Sequence, residues 1–196
     1  MRFTTYAALA AMTLTLTGCA SGVWMGATKE KTYDDDLKAR NSSAGLNNDD
    51  YYEVHQEGKI LVFSDAKDFK TWLKVDEMPL LVTKIGEGPN GETMKYSLTK
   101  TETKAMEKSV GFRGASQNMF DGATVGLSSG FFGMVNKDGA YWVFDNWNVY
   151  AGYRKNGNAS GYTETLGPKG EKVMFVGASE KPAKTAQKFV ALFDGK

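Results

Sequence analysis

The sequence predicts an α+β fold in which two tandem ββαββ repeats pack into one antiparallel-sheet body with short helices. Two landmarks that recur in the same order indicate the repeat. A β-rich segment broken by an X-Gly pair occurs twice, with Gly58 and Gly139 81 positions apart. A Gly-Pro-X-Gly-Glu sequence also occurs twice, with Gly91 and Gly170 79 positions apart. Between these landmarks each half has apolar residues at helical spacing, which is typical of a duplicated unit.

The first element of each repeat is predicted to be a β-hairpin. Residues 54–63 are β-rich and are broken by Glu57-Gly58, and residues 133–144 are broken in the same way by Asp138-Gly139. X-Gly pairs supply the positive φ that tight hairpin turns require. Both segments therefore predict two antiparallel strands.

A short helix is predicted after each hairpin. Ser64 or Asp65 in the first half, and Asp145 or Asn146 in the second, can accept hydrogen bonds from the free amides of a helix start. Apolar residues then recur at helical spacing, which gives each helix one apolar face. These residues are Phe69, Trp72 and Leu73 in the first half and Val149, Tyr150 and Tyr153 in the second.

A second hairpin completes each predicted repeat. Residues 80–85 and 93–98 flank Pro89-Asn90-Gly91, where Pro fixes φ and Asn-Gly favours a primed turn. The copies end on Phe-Asp-Gly, at residues 120–122 and 193–195. They differ before the second hairpin, because the apolar residues 78–81 are replaced by a polar run at residues 156–161.

The chain divides into four predicted segments: an export signal at residues 1–18, a flexible tether at residues 19–50, a first repeat at residues 51–122 and a second repeat at residues 123–196. The tether is polar and has little periodic hydrophobicity. The Gly-rich stretch between the repeats, residues 111–130, predicts a flexible connection. Phe131-Phe132-Gly133-Met134 predicts the start of a buried strand.

The N-terminus has one Arg, an uncharged apolar run from Phe3 to Leu16 and the sequence Leu16-Thr17-Gly18-Cys19. The apolar run is shorter than the roughly 20 residues that span a bilayer, but it fits an export signal. This pattern resembles the signal peptide and lipobox of bacterial lipoproteins. The resemblance implies that lipid on Cys19 anchors the mature chain. Ala20 in place of Asp implies the outer membrane, with the protein facing the periplasm or the cell surface.

The repeat itself, a hairpin ending in Val-Phe followed by a short helix and Gly-Pro-X-Gly-Glu, resembles one in uncharacterised exported proteobacterial proteins. That resemblance implies no activity. Cys19 is the only cysteine of the chain, so the mature domain has no disulfide and no thiol nucleophile. It must be stabilised by burial, which its length permits.

Charge argues against nucleic acid as a partner. The chain has 24 Lys and Arg against 23 Asp and Glu, and loss of Arg2 with the signal leaves 23 of each. Phosphate binding requires a basic surplus, and no Lys/Arg cluster supplies one.

Catalytic chemistry is scarce, and we predict no catalytic residues, no metal and no cofactor. The only histidine, His55, is flanked by Glu53 and Glu57 on one face of a predicted strand. This trio is either a divalent-ion site or a solvated strand face, and we favour the solvated face. A nucleotide loop is not indicated, because no Gly-x-Gly-x-x-Gly leads from a predicted strand into a predicted helix. An acid–base pair of distant carboxylates stays open.

Aromatic residues crowd the second repeat and predict its contact surface. We predict binding through Tyr153, Ser160 and Tyr162, and through Trp147 if its ring is exposed, since rigid aromatics beside polar groups suit protein contacts. The sequence thus predicts an exported, membrane-anchored binding or interaction module with a protein partner in the envelope. The first alternative is an enzyme inhibitor or immunity lipoprotein, because Ser160-Gly161-Tyr162 faintly resembles a loop of lysozyme inhibitors. The second alternative is a carboxylate-dependent enzyme.

Overall fold

A computed structural model describes residues 47–127, 130–159, 161–177 and 182–194. Cys19, the export signal, most of the tether and Ser160 lie outside the described residues. Within the described residues, none of the helices combines the length and the apolar composition that a membrane span needs.

The described residues form one eight-stranded sheet with helices on both of its faces. The strand order across the sheet is β3-β4-β2-β1-β5-β6-β8-β7. The strands are β1 (Asp50–Gln56), β2 (Lys59–Phe63), β3 (Leu81–Lys84), β4 (Thr93–Ser97), β5 (Phe132–Lys137), β6 (Ala140–Phe144), β7 (Tyr162–Leu166) and β8 (Lys172–Val176). The helices are α1 (Ala66–Val75), α2 (Lys100–Lys108), α3 (Ala115–Phe120), α4 (Trp147–Asn156) and α5 (Pro182–Phe193).

The predicted α+β class is confirmed, but the prediction of an antiparallel sheet is wrong, because the sheet is mixed. Strands β1 and β5 pair in parallel, and so do β2 with β4 and β6 with β8. A parallel pair requires a crossover of about a dozen residues or more, which the helix and first strand of the next hairpin provide between β2 and β4. Hairpin signals in the sequence fix only the pairing of neighbours, so they did not reveal these three contacts.

The predicted hairpin turns are confirmed. Glu57 and Gly58 have φ of 50° and 69°, and Asp138 and Gly139 have φ of 54° and 76°. The turns between β3 and β4 and between β7 and β8 also contain a glycine with positive φ, Gly91 or Gly170. The primed turn predicted at Asn90-Gly91 is wrong, because Asn90 does not have the positive φ that such a turn requires.

The predicted helix starts are confirmed as well. The Asp65 carboxylate accepts hydrogen bonds from the backbone N–H groups of Lys67 and Asp68, at 2.8 and 3.1 Å. The Asn146 side chain accepts one from the N–H of Asn148 at 2.8 Å. Each cap satisfies amides that the first turn of a helix leaves without a partner.

The Gly-rich segment between the two halves is not the flexible connection that the sequence predicted. It contains α3, whose Ala115, Ser116, Met119 and Phe120 are buried. A Cβ added at Gly126 would lie 2.6 Å from atoms of Phe131 and Trp147, so this glycine allows close packing. The buried strand predicted at Phe131–Met134 is confirmed, because β5 starts at Phe132.

The two faces of the sheet carry separate cores. On the α1/α5 face, Tyr52, Val54, Phe132 and Met134 of the sheet pack with Phe69 and Trp72 of α1 and with Phe189, Leu192 and Phe193 of α5. On the α3/α4 face, Tyr51, Ile60, Val62 and Val135 of the sheet pack with Met119 and Phe120 of α3 and with Trp147 and Tyr150 of α4. The central strand β1 is therefore covered on both sides, as alternating side chains of a strand require.

The fold includes residues just before Tyr51. Asn48 is buried, and its side-chain amide donates to the carbonyl of Val125 at 2.9 Å. The N–H of Phe132 donates to the carbonyl of Asp49 at 2.8 Å. Residues 47–50 are thus held against the folded body.

Candidate functional site

Trp147, one of the predicted binding residues, belongs to the core. Its side chain is 8% exposed and lies in the apolar cluster of the α3/α4 face. Its ring meets Phe131 edge-on, with the centroids 5.4 Å apart, and Tyr51 at 6.5 Å. Trp147 was predicted to bind a partner only if its ring is exposed, and the ring is buried.

Tyr153 and Tyr162 come together around Trp142, which the sequence did not single out as a site residue. The Trp142 ring lies 5.3 Å from that of Tyr153 and 5.4 Å from that of Tyr162. Tyr162 is 50% exposed, whereas Tyr153 is half-buried. Burial, with the charges of Glu53 and Asp138, raises the pKa of Tyr153 to about 12, so its hydroxyl is protonated at neutral pH.

Strand β7 forms one edge of the sheet, and all five of its residues are exposed. Gly167 N–H donates to the carbonyl of Glu171, and Gly177 N–H donates to that of Gly161. Because hydrogen-bonded pairs alternate along an antiparallel pair, the backbone groups of Tyr162, Glu164 and Leu166 point away from β8. Among the described residues, no strand pairs with these N–H and C=O groups, so they form an open edge.

A buried carboxylate lies on the α3/α4 face. Glu53 of β1 is 8% exposed. Its carboxylate accepts hydrogen bonds from the Tyr51 hydroxyl at 2.5 Å and from the Tyr150 hydroxyl at 3.4 Å. The other oxygen lies 2.5 Å from Nε2 of His55. The strand places Tyr51, Glu53 and His55 on one face because they are two residues apart.

The surroundings of Glu53 keep it ionised. Burial alone would raise the pKa of its carboxyl, but the hydrogen bonds from His55 and Tyr51 and the charge of Arg154 bring the pKa below the ordinary value. A charged carboxylate carries no proton, so His55 Nε2 is the donor of their hydrogen bond. The second ring nitrogen, Nδ1, then faces away from Glu53.

Arg154 of α4 completes the cluster. Its guanidinium lies over the Phe120 ring, 3.9 Å from the centroid. Burial lowers the pKa of this group, but Tyr51, Tyr150 and Glu53 more than offset that effect, so the pKa is raised overall. Within the described residues, no carboxylate lies within 4.0 Å of its guanidinium.

These residues line a cleft of about 200 Å³, which we call the Glu53 cleft. Its floor is formed by β1, β2 and β5, and one wall by α4. Phe120 of α3 and the β3–β4 turn complete it. The lining residues are Glu53, His55, Ile60, Pro89, Asn90, Phe120, Val135, Lys137, Tyr150, Tyr153, Arg154 and Gly157. Tyr153 thus borders both the cleft and the aromatic group around Trp142.

The structure corrects the prediction of a solvated face at Glu53, His55 and Glu57. Glu53 is buried, whereas Glu57 lies in the hairpin turn with its side chain 3.3 Å from the Lys59 ammonium. Because Glu57 has left the strand, the predicted trio does not assemble. Among the described residues, no group of three His, Cys, Asp or Glu side chains is arranged to hold a metal ion.

Two motif matches also lack their required context. Residues 126–130 read Gly-x-Ser-x-Gly, but this segment leads into β5, whereas a nucleophile elbow turns from a strand into a helix. Residues 86–91 read Gly-x-Gly-x-x-Gly, but they join β3 to β4 within a hairpin. Among the described elements, neither sequence stands between a strand and a following helix, as these chemistries require.

A larger cavity, of about 550 Å³, lies beside α1. Its apolar lining comes from Phe63, Met78, Leu80 and Leu98. Asp65 and Asp68 also line it. Asp65 caps α1, as the sequence predicted. The arrangement suits an apolar guest, but it brings no converging set of polar groups.

No family model, curated protein or solved structure matches this chain. Two features of the described residues bear on function, the open edge at β7 and the Glu53 cleft.

Sequence reasoning found Tyr153 and Tyr162 but did not select Tyr51, Tyr150 or Arg154. The period-two pattern placed Glu53 with His55 on one face of a predicted strand, but it was not extended to Tyr51. The partners on α4 are about 100 residues further along the chain, and no local pattern connects them to β1. Only a three-dimensional fold could join these groups.

Proposed function

We propose that the protein is a lipid-anchored, exported binding module of the bacterial envelope that acts without catalysis and captures a protein partner on β7. The observation that carries this proposal is the open edge of the sheet. All residues of β7 are exposed, including Tyr162 at 50% and Leu166 at 70%. Exposed apolar side chains beside unpaired backbone groups favour contact with another chain.

An extended segment of the partner fits this edge as a ninth strand. Tyr162, Glu164 and Leu166 offer outward backbone groups for main-chain hydrogen bonds, which supply affinity in strand addition. The Tyr162 ring, held against Trp142, supplies an aromatic anchor on the α3/α4 side of the edge. The opposite edge strand, β3, is shorter and mostly half-buried, so it is the weaker template.

The proposal is tested by removing one outward N–H group. Glu164→Pro deletes a donor that faces away from β8, so it should abolish capture while the sheet stays intact. Glu164→Ala is the matched control, because it removes the same side chain and keeps the N–H. Capture from detergent-solubilised envelope is quantified for both variants and the wild type. Equal capture by both variants would exclude strand addition at this edge.

We also propose that lipid on Cys19 anchors the protein in the outer membrane, facing the periplasm or the cell surface. The N-terminal pattern supports this, and Cys19 is the only cysteine. Cys19→Ala should move the protein from the membrane fraction to the soluble fraction. Metabolic labelling with palmitate should mark the wild type and leave the variant unmarked. Failure to label the wild type would contradict the proposal.

The tether proposal is best tested with deletions that end at residue 46, because Asn48 and Asp49 hold contacts with the folded body. Deletion of residues 20–46 should leave the melting temperature nearly unchanged. A large fall would show that this segment contributes burial to the fold.

If the protein is instead an enzyme inhibitor or immunity lipoprotein, the β7 edge binds an enzyme. It predicts that the captured partner is an envelope hydrolase and that the wild-type protein lowers the hydrolase rate. Glu164→Pro should then release the hydrolase from inhibition. A captured partner without hydrolytic activity would leave the interaction module as the function.

We further infer that residues 51–122 and 123–196 are copies of one ββαββ unit. Strands β2 and β6 start 81 positions apart, and so do helices α1 and α4. Strands β4 and β8 start 79 positions apart, which matches the offset of the glycines before them. The β3–β4 and β7–β8 connections have the same hydrogen bonds, from Gly88 to Glu92 and from Gly167 to Glu171. These agreements support duplication followed by small deletions in loops.

A further inference from the structure

The Glu53 cleft combines polar groups that face one small space. Its volume of about 200 Å³ is below the roughly 300 Å³ of typical ligand pockets, so it suits a small molecule. Ile60, Val135, Phe120 and Tyr150 give it apolar walls. Polar groups that converge in a partly apolar cleft are typical of a ligand site.

The carboxylates in and beside this cleft already accept hydrogen bonds from neighbouring groups. Glu53 receives hydrogen bonds from Tyr51, His55 and Tyr150, so its carboxylate has little capacity left for a cationic guest. The nearby carboxylate of Glu92 is also occupied, by the backbone N–H and the side-chain amide of Asn90 at 2.8 and 2.9 Å.

The positive groups, by contrast, keep donors available. Arg154 has five N–H donors and, among the described residues, no ion-paired carboxylate. Lys137 lines the rim and is exposed, and it too has no ion pair within the described part of the chain. An incoming ligand therefore meets the donors and positive charge of Arg154 and Lys137. The His55 side chain is 23% exposed beside them, but its Nε2–H is already used on Glu53.

We propose that the Glu53 cleft binds a small organic carboxylate, with its anionic group on Arg154 and its apolar part against Phe120 and Tyr150. The planar guanidinium matches a carboxylate fork, and its central carbon lies 3.9 Å from the centroid of the Phe120 ring. A singly charged ligand fits better than a phosphate dianion, because the ionised Glu53 stands in the same cleft and repels a second negative charge. Glu53 orients His55 and Tyr150 rather than touching the ligand itself.

This binding site is separate from the edge at β7, so the two proposals fail independently. His55 is the only histidine of the chain, and its ring signals in NMR report on the cleft alone. Full-length protein purified in detergent through a tag without histidine is labelled on the histidine ring. It is then titrated with benzoate and, separately, with benzamide, which has nearly the same shape without the charge.

Benzoate should shift the His55 signals in a saturable way, with half-saturation at about 1 to 10 mM, as expected for so small a ligand. Benzamide should give little shift, which also controls for partition into the detergent. Arg154→Gln should weaken benzoate binding about tenfold or more, because it removes a charge-assisted hydrogen-bond donor. The matched control is Lys155→Gln, the exposed neighbour on the same helix, and it should change binding less than twofold.

Melting curves of both variants show whether Arg154→Gln remains folded. If that variant is unfolded, Arg154→Lys replaces it, since Lys keeps the charge and loses the fork, and binding should again weaken. The proposal is overturned if benzoate gives no saturable shift, if benzamide binds equally well, or if inorganic phosphate binds more tightly than benzoate. It is also overturned if Arg154→Gln and Lys155→Gln have equal effects.

Discussion

Helices cover both faces of the sheet, but the side chains packed between sheet and helices differ in polarity on the two faces. On the α1/α5 face, β5 presents Phe132 and Met134 to the helices. On the α3/α4 face, β1 presents Tyr51 and the ionised Glu53 to the helices. Since the core cluster of the α1/α5 face contains no charged side chain, the architecture does not require a carboxylate at its centre. Glu53 and its partners are therefore better explained by a function than by stability.

The contrast is sharpest at positions 81 residues apart, which the proposed repeats make equivalent. Four members of the polar cluster on the α3/α4 face then correspond to apolar residues on the α1/α5 face, whereas His55 corresponds to Asn136. The pairs are Tyr51 with Phe132, Glu53 with Met134, Tyr150 with Phe69, and Arg154 with Leu73. The apolar residues of the α1/α5 face show which side chains fill the equivalent space when there is no polar cluster.

The largest effect is expected from removing one large ring on either face. Phe69 is fully buried and stacks on Tyr52 with centroids 4.5 Å apart, and Trp147 is buried among aromatic rings. Phe69→Ala and Trp147→Ala should each lower the free energy of unfolding by about 3 to 5 kcal/mol. Urea denaturation measures both. A small effect of Trp147→Ala alone would mean that the α3/α4 face is not a true core.

The next effect comes from replacing the carboxylate by its apolar counterpart. Glu53→Met leaves the hydroxyls of Tyr51 and Tyr150 without their acceptor and Arg154 without a nearby negative charge. The free energy of unfolding should fall by about 1 to 3 kcal/mol. Urea denaturation at pH 7 measures the change, with Glu53→Gln as the variant that keeps the shape of the side chain.

The comparison is tested directly by converting one face into the other. Tyr51→Phe, Glu53→Met, Tyr150→Phe and Arg154→Leu together place the apolar set of the α1/α5 face on the α3/α4 face. We expect this fourfold variant to recover most of the stability that Glu53→Met alone loses, because the polar groups of Tyr51, Tyr150 and Arg154 are removed together with their acceptor. Only His55 loses a partner, and its side chain is 23% exposed. It should also lose benzoate binding. A fourfold variant less stable than Glu53→Met would show that the polar cluster stabilises the fold.

A smaller effect is expected in the pH dependence of stability, which differs between the two faces. Burial, with the charges of Asp49 and Asp65, raises the pKa of Asp50 from 3.8 to about 6 on the α1/α5 face, whereas the pKa of Glu53 is lowered on the other. Asp50 thus contributes stability below pH 3.8 that is lost as the pH rises through about 6. Glu53 contributes stability above its ordinary value of 4.5 that is lost as the pH falls through its lower folded value.

Asp50→Asn should therefore gain stability relative to the wild type between pH 3.5 and pH 7, by about 1 kcal/mol or less after solvent screening. Glu53→Gln should lose stability relative to the wild type over the same change. Unfolding by urea at the two pH values measures both signs. Two variants with the same sign would contradict the opposite electrostatic environments of the faces.

The smallest effect on stability is expected at the edge strand. Tyr162→Ala removes a half-exposed ring and should lower the free energy of unfolding by only about 0.5 kcal/mol. It should nevertheless weaken capture of the partner, because the ring anchors the proposed contact. Melting and capture are measured on the same preparation. A loss of stability as large as that of Trp147→Ala would assign Tyr162 to the core and remove it from the contact surface.

Much of the local structure followed from the sequence alone. The X-Gly turns, the caps at Asp65 and Asn146, and the hairpins before and after α1 and α4 depend on contacts within a few residues. Such contacts are encoded by short patterns, because turn φ values and free helix amides restrict the residue types that fit. The same patterns placed Glu53 and His55 on one face of β1.

The tertiary structure decided what lies against that face. The parallel pairing of β1 with β5 brings α4, from the second half of the chain, over a strand of the first half. Trp147 became a core residue, and Tyr150 and Arg154 became partners of Glu53, for this reason alone. The alternation of side chains along a strand shows which of them share a face, but not whether water or another helix covers that face. Whether Glu53 is a solvated charge or the centre of a buried cluster therefore depends on residues about 100 positions away.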